Sequence, residues 1–227
     1  MPGPADCTIY LARLDQLRAE HEQWLAGPEA ARAGRFRLKA DRDRFVLATA
    51  LLRAAVASRT GGRPARVAVD RSCEHCGGQH GRPRLPGTGL AASITHSGDV
   101  VAVALTDGDP VGVDVEAITA GEYEPLLPRV CTEAERPSVR TARDFYTIWT
   151  RKEAVLKATG EGLRTPMTSV TVTPPGQPPA VLELAGTTPA CKLADIPAGD
   201  GYAAAAAVLT TAAVTFHVLG ASPLLAG

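Results

Sequence analysis

Residues 145–163, Phe-Tyr-Thr-Ile-Trp-Thr-Arg-Lys-Glu-Ala-Val-Leu-Lys-Ala-Thr-Gly-Glu-Gly-Leu, constrain the fold more than any other stretch of the chain. Phe145, Ile148, Trp149 and Leu156 recur at helical spacing, so one face of an amphipathic helix is committed to a core. Glu153 and Lys157 stand four residues apart and share a face beside that stripe. Gly160 and Gly162 close the helix, because glycine enters the left-handed region without a Cβ clash. The pattern predicts a helix over 142–159. A carboxylate and a lysine on one helix face can hold a metal ion and a phosphate together. Taken alone, they are also an ordinary i,i+4 ion pair.

Three further segments bear on that choice. In Gly112-Val-Asp-Val-Glu116, residues two apart point to the same side of a strand, so Asp114 and Glu116 project together. With Glu153 they make three hard oxygen ligands of the kind Mg²⁺ takes, Mn²⁺ being a possible substitute. The competing reading is a pair of solvent-facing strand charges, with Glu153 held by Lys157. Ser93-Ile-Thr-His-Ser-Gly98 ends a strand in hydroxyls and an imidazole, which suit a phosphate or simply cap the strand. Gly81-Arg-Pro-Arg84 and the arginine-rich residues 30–57 offer bidentate donors for a polyanion, or else a solvated helix face and a basic loop.

The remaining pattern places strands at 9–14, 91–96, 100–105 and 111–115. The turn Asp107-Gly-Asp-Pro110 suggests a hairpin between the last two. One long helix is expected over 30–57, an irregular loop over 73–89, and a helical region from Glu122 to Glu135. Strands follow at 170–173, 181–184, 202–209 and 213–219, the final two joined by Thr210-Thr211. Helix precedes strands in both halves, which hints at a duplication with a boundary near 107–110. The halves are read as residues 1–108 and 109–227.

Composition narrows the class. Lys+Arg and Asp+Glu number 24 each, so the net charge is zero. A neutral chain is not expected to coat nucleic acid or a membrane surface. No secretory signal opens the chain, and five irregularly spaced cysteines fit a reducing cytoplasm. Residues 201–227 are apolar, but threonines, His217 and Pro223 interrupt them, so buried strands are expected there rather than a membrane span.

In order along the chain stand Arg32, Phe36 and Arg44, then Gly81-Arg-Pro83, Thr95-His-Ser97, Gly112-x-Asp-x-Glu116 and Trp149-x-x-Lys-Glu-x-x-x-Lys157. This array resembles the 4′-phosphopantetheinyl transferases, in particular the larger surfactin-type branch, over residues 9–219. The resemblance implies an α/β (α+β) pseudo-dimer: two similar halves, each a small, mainly antiparallel sheet with a long helix, and a cleft between them that takes coenzyme A. It implies transfer of phosphopantetheine from coenzyme A to a serine of an apo acyl- or peptidyl-carrier protein, releasing adenosine 3′,5′-bisphosphate. Carried over by position, Asp114, Glu116 and Glu153 match the Mg²⁺ ligands and Glu153 the general base. Asp114 and Lys157 join Glu153 in the catalytic set, and Lys157 matches the group facing the leaving phosphate. Thr95, His96 and Ser97 fall where the 3′-phosphate is gripped, and Arg32, Arg44, Gly81, Arg82 and Pro83 where the nucleotide end is held. Ser93 replaces a common asparagine, and Glu29 stands where some members are basic. A monomer is expected, since the pseudo-dimer forms its cleft internally.

Two other classes compete with this reading. Loss of Asp114, Glu153 or Lys157 would point to a catalytically weak binding module for coenzyme A or a carrier protein, and all three are present. A zinc-ribbon interaction domain would need ligands that are missing or poorly placed. Cys73-x-x-Cys76-x-x-x-His80 has half the spacing of a zinc site, with His75 and Cys7 as loose fourth ligands. The two cysteines of that segment are read as a reduced turn.

Overall fold

The computed structural model describes residues 5–73, 76–121 and 123–226. Glu122 and His75 lie outside the described residues. In chain order, β1 (Ala5–Arg13) leads through two 3₁₀ turns to α1 (Gly27–Ala33) and α2 (Lys39–Thr60). Strands β2 (Asp70–Ser72), β3 (Gln79–Arg84), β4 (Ala91–Ser97), β5 (Val100–Thr106) and β6 (Val111–Ala117) follow. Then come α3 (Leu127–Val130), α4 (Ala142–Thr159), β7 (Val170–Val172), β8 (Val181–Leu184) and β9 (Cys191–Asp195). The chain closes with β10 (Tyr202–Leu209), β11 (Val214–Gly220) and α5 (Ser222–Leu225).

Strand order explains the layering. One sheet runs β11-β1-β5-β4-β3-β2, a second runs β6-β10-β9, and β7 pairs with β8 alone. Alternation along β5 sorts its side chains between two layers. Val101, Val103 and Leu105 join Leu47, Leu51 and Leu52 of α2. Ala102 and Ala104 join Val111, Val113 and Val115 of β6 and Ala204 and Ala206 of β10. The alternate alanines of β10, Ala205 and Ala207, meet Phe145, Ile148 and Val155 of α4. The order of layers is therefore α2, first sheet, second sheet, α4. Alanines on the facing strands let two sheets that are buried on both sides approach closely. This is a mixed α+β fold, as expected.

Several elements differ from the sequence pattern for identifiable reasons. The helix expected over 30–57 breaks after Ala33: Gly34 caps α1 by bonding Ala30 O, and Phe36 turns back onto Phe45 with ring centroids 5.4 Å apart. Residues 73–89 are not all loop, since β3 lies within them. The β5–β6 hairpin does not form, because β1 and β4 occupy both edges of β5 and β6 pairs with β10 instead. For the same reason β10 and β11 do not pair; β11 runs parallel to β1 in the first sheet. Pro125 and Pro128 reduce the region read as helical over 122–135 to one 3₁₀ turn and the single turn of α3. No helix among the described residues is long and apolar enough to cross a membrane.

Candidate active site

Gly112 brings the two halves of the site together. A Cβ at this position would lie 1.9 Å from Ala154 O and 2.7 Å from Ala158 N, so only glycine lets β6 run this close to α4. Asp114 and Glu116 follow at two-residue steps on the same side of β6, while Val111, Val113 and Val115 enter the core on the other. The helix that meets them is held at both ends. Thr141 Oγ1 accepts from Asp144 N, and Gly160 caps the C-terminus at φ +78.

The opposite wall is β4, whose hydroxyls bond β6 in place of a backbone ladder. Ser93 Oγ accepts from Val113 N at 3.1 Å, and Ser97 Oγ accepts from Ala117 N at 3.0 Å. Thr95 Oγ1 donates to Asp114 Oδ1 at 3.0 Å, and Ser97 Oγ donates to Glu116 Oε2 at 2.7 Å. The serine at position 93 thus satisfies a buried backbone N–H across the sheet-to-sheet interface.

A cavity of about 420 Å³ opens between these walls, and its lining includes Arg32, Arg71, His96, Asp114, Glu116, Trp149, Glu153 and Lys157. Lys157 Nζ donates to Asp114 Oδ1 at 2.6 Å and to Val113 O at 3.1 Å. The Glu153–Lys157 ion pair weighed in the sequence is therefore not the one that forms. Glu153 makes no hydrogen bond or ion pair to a described residue. Asp114 is 3% exposed, and its Oδ2 is buried with no hydrogen-bond partner. All three carboxyls are pushed above the usual carboxylate range, in each case chiefly by burial. The Asp114 charge adds to the rise at Glu116 and Glu153, and Lys157 opposes it. A buried, unpartnered carboxylate oxygen beside two destabilised carboxylates is a donor set short of positive charge, and it fits a hard divalent cation. At the mouth, burial and then the Arg44 charge hold His96 below the usual imidazole range.

The other sequence-predicted residues divide into two groups. Arg32 lies in this cavity, with its guanidinium 5.1 Å from the Phe45 ring centroid and Nη1 donating to Gln79 O. Arg44 does not line it; its side chain bonds Gly98 O and Asp41. Gly81, Arg82 and Pro83 line a separate, larger cavity of about 890 Å³ with Thr159, Gly160 and Gly162. Arg82 donates there to Ala158 O at 3.1 Å and Val111 O at 3.3 Å, tying β3 to the end of α4. Glu29 is committed to structure, accepting from Ala26 N and pairing with the buried Arg53.

Sequence reasoning missed Arg71, Phe45 and Thr49, which line the cavity. Arg71 carried a faint signal, preceding the Cys73 loop at the end of a Val-Ala-Val run, whereas Phe45 and Thr49 read as core positions of a helix. Sequence reasoning also gave no role to Arg151, nor to Lys152 although that lysine stands in the Trp149-x-x-Lys-Glu motif; both neighbours of Glu153 are fully buried. Arg151 grips Asp195 bidentately at 2.8 and 2.6 Å, and Lys152 bonds Val130 O, Met167 O and Glu135. Together they fix the helix that presents Glu153.

Residues 110–207 match the model of the 4′-phosphopantetheinyl transferase superfamily. The 4′-phosphopantetheinyl transferase HetI of Nostoc sp. is 30% identical over 230 residues, covering 92% of each chain. A 4′-phosphopantetheinyl transferase of Bacillus subtilis is 29% identical over 61% of each chain. AcpT of Salmonella typhi is 39% identical over 92 residues, which span 37% of this chain and 47% of that one. With HetI 30% identical over 92% of each chain, the chain belongs to the 4′-phosphopantetheinyl transferases, enzymes that transfer phosphopantetheine to carrier proteins.

Proposed function

We propose that the chain moves the 4′-phosphopantetheine arm of coenzyme A onto the serine of an apo acyl- or peptidyl-carrier protein in a Mg²⁺-dependent reaction, releasing adenosine 3′,5′-bisphosphate. The observation that carries the reading is the buried, unpartnered Asp114 Oδ2 in the same cavity as Glu116 and the unpaired Glu153. Asp114, Glu116 and Glu153 would hold the cation. When bound, Mg²⁺ neutralises pyrophosphate charge and polarises the phosphoryl group.

The chain's own groups divide the remaining work. Glu153, uncommitted to any described partner, takes the proton from the incoming serine hydroxyl. Lys157, anchored on Asp114, faces charge that builds on the leaving phosphate. His96, Arg32 and Arg71 line the same cavity and offer donors to the 3′-phosphate end. Thr95 and Ser97 act one step back, orienting Asp114 and Glu116. Gly81, Arg82 and Pro83 shape the adjoining cavity for another part of coenzyme A, and the Arg44 charge acts on His96. In this division residues 1–108 hold the nucleotide and 109–227 carry the metal and the chemistry. Within the segment between the Asp114 strand and the Glu153 helix, Arg129, Arg136 and Arg140 are exposed alongside Glu124 and Glu133, and these arginines would be its contacts to an acidic carrier.

The test is intact-mass spectrometry of apo carrier proteins incubated with the enzyme, coenzyme A and Mg²⁺. A gain of one phosphopantetheine, lost with EDTA, is expected. No gain across several acyl- and peptidyl-carrier proteins would favour a binding module instead.

A further inference from the structure

The hairpin joining β2 to β3 carries a second constellation, far softer in chemistry than the carboxylates. The ligand atoms of Cys73, Cys76 and His80 all lie within 4.8 Å of one another, and Cys76 Sγ is 2.9 Å from His80 Nε2. A tetrahedral ion with bonds of about 2.0–2.3 Å separates its ligands by roughly 3.5 Å, so a small adjustment of side chains admits one. The backbone is shaped for the cluster. Gly77 takes φ +68 and donates to Cys73 O at 2.8 Å, while Cys73 N donates to Gly78 O at 2.8 Å. A Cβ on Gly78 would lie 3.0 Å from His80 Cδ2 and 3.3 Å from Cys76 Sγ, within the space the cluster uses.

We propose that Cys73, Cys76 and His80 bind a zinc ion that clamps the β2–β3 hairpin. Two thiolates and an imidazole select a borderline-soft cation, whereas the Asp114 site selects a hard one, so the two sites do not compete for the same metal. Binding releases the two thiol protons. Among the described residues these three are the whole cluster; Cys7, a loose candidate in the sequence, is fully buried in β1, with β5 and β4 between it and β3 in the sheet. Neither cysteine is disulfide-bonded, as a reduced turn requires, and the histidine folded back onto them is what favours a bound ion over a bare turn.

The backbone ladder of this hairpin is thin. Among the described residues β2 and β3 pair at Asp70–Arg84 and Ser72–Gln79, with a bulge between, β3 meets β4 at Arg84–Ala91, and side chains add the Arg84–Asp70 ion pair and a Gln79–Ser72 bond. Yet this thin ladder carries Arg71 into the cavity, and its Gln79 carbonyl holds Arg32. Zinc is therefore a positioning element for two arginines, a consequence that rests on the function proposed above, while the metal binding does not.

The experiment is elemental analysis of protein purified without chelators, then of metal-free protein refilled with ZnCl₂ or CoCl₂ alone. About one zinc per chain is expected, with loss in Cys76→Ser and in His80→Ala, and a thiolate-to-cobalt charge-transfer band in the cobalt form. Zinc that is substoichiometric, or retained by both variants, overturns the site, whatever the transfer assay reads. With Mg²⁺ saturating, Cys76→Ser should raise KM for coenzyme A by roughly tenfold, the equivalent of one charged hydrogen bond, and leave kcat within about twofold. A zinc-free variant with unchanged KM overturns the positioning role.

Discussion

A single methyl group decides whether the site can assemble. Gly112→Ala places a Cβ in contact with the backbone of Ala154 and Ala158, which cannot yield as a flexible side chain would. We expect a loss of about 1–3 kcal/mol or more in urea unfolding, together with lost transfer, because β6 must retreat from α4. Unchanged stability would show that the strand has slack there. Glu153 gives the converse case. Its carboxyl is raised first by burial and then by Asp114, so the metal-free folded state holds a proton more tightly than the unfolded chain does. Such a group lowers stability as pH rises above its ordinary value of 4.5, and the loss is complete above the raised value. Metal-free Glu153→Gln should therefore melt no lower than wild type at neutral pH, with any advantage shrinking toward pH 4.5, while transfer is abolished. Near-native turnover would remove Glu153 from its proposed role.

At the scale of the element, α4 owes its position to cations that do no chemistry. Lys152 is fully buried, with Nζ bonded to two backbone carbonyls and to Glu135. Glu135 in turn accepts from Thr132 N and Val172 N, so one ion pair ties α3, α4 and β7 together. Burial pulls the lysine below its usual range and Glu135 opposes it, the balance expected of a buried pair. Lys152→Met strands the Glu135 charge and should cost about 3–5 kcal/mol in denaturant unfolding. Adding Glu135→Leu should recover part of it; no recovery would place the damage in packing rather than in the unpaired charge.

At the scale of the molecule, the last strand closes the first sheet. β11 lies parallel along β1, and Leu225 O beyond it bonds the buried His21 ring. A chain ending at Ala213 exposes the whole β1 edge and opens the core under α2. We expect it to lose the cooperative thermal transition seen by circular dichroism; a sharp transition near the wild-type midpoint would show that β11 is dispensable. Residues from opposite ends of the chain thus share one sheet, and the site between β4, β6 and α4 draws on both sheets.

Local rules sufficed wherever one element answers to its own side chains. The apolar stripe and glycine cap of α4 lie where the spacing put them, with Phe145, Ile148 and Leu156 in the core and Trp149 at the cavity wall. The period of two in β6 told Asp114 and Glu116 apart from the valines between them, and the alanine-rich residues 202–209 are a strand despite alanine's helical preference, because both faces are buried. What the sequence did not determine was pairing between elements. Whether β5 bonds β6 depends on which edges other strands have taken, and whether Lys157 pairs with Glu153 depends on Asp114 arriving from another strand. Arg71 and Lys152 differ in the same way: both are basic residues beside a motif, and only the surrounding layers make one a cavity wall and the other a buried brace. Periodicity is a property of neighbours in the chain, whereas edges, burial and counter-charges come from residues far apart in it, and those exist only once the layers have packed.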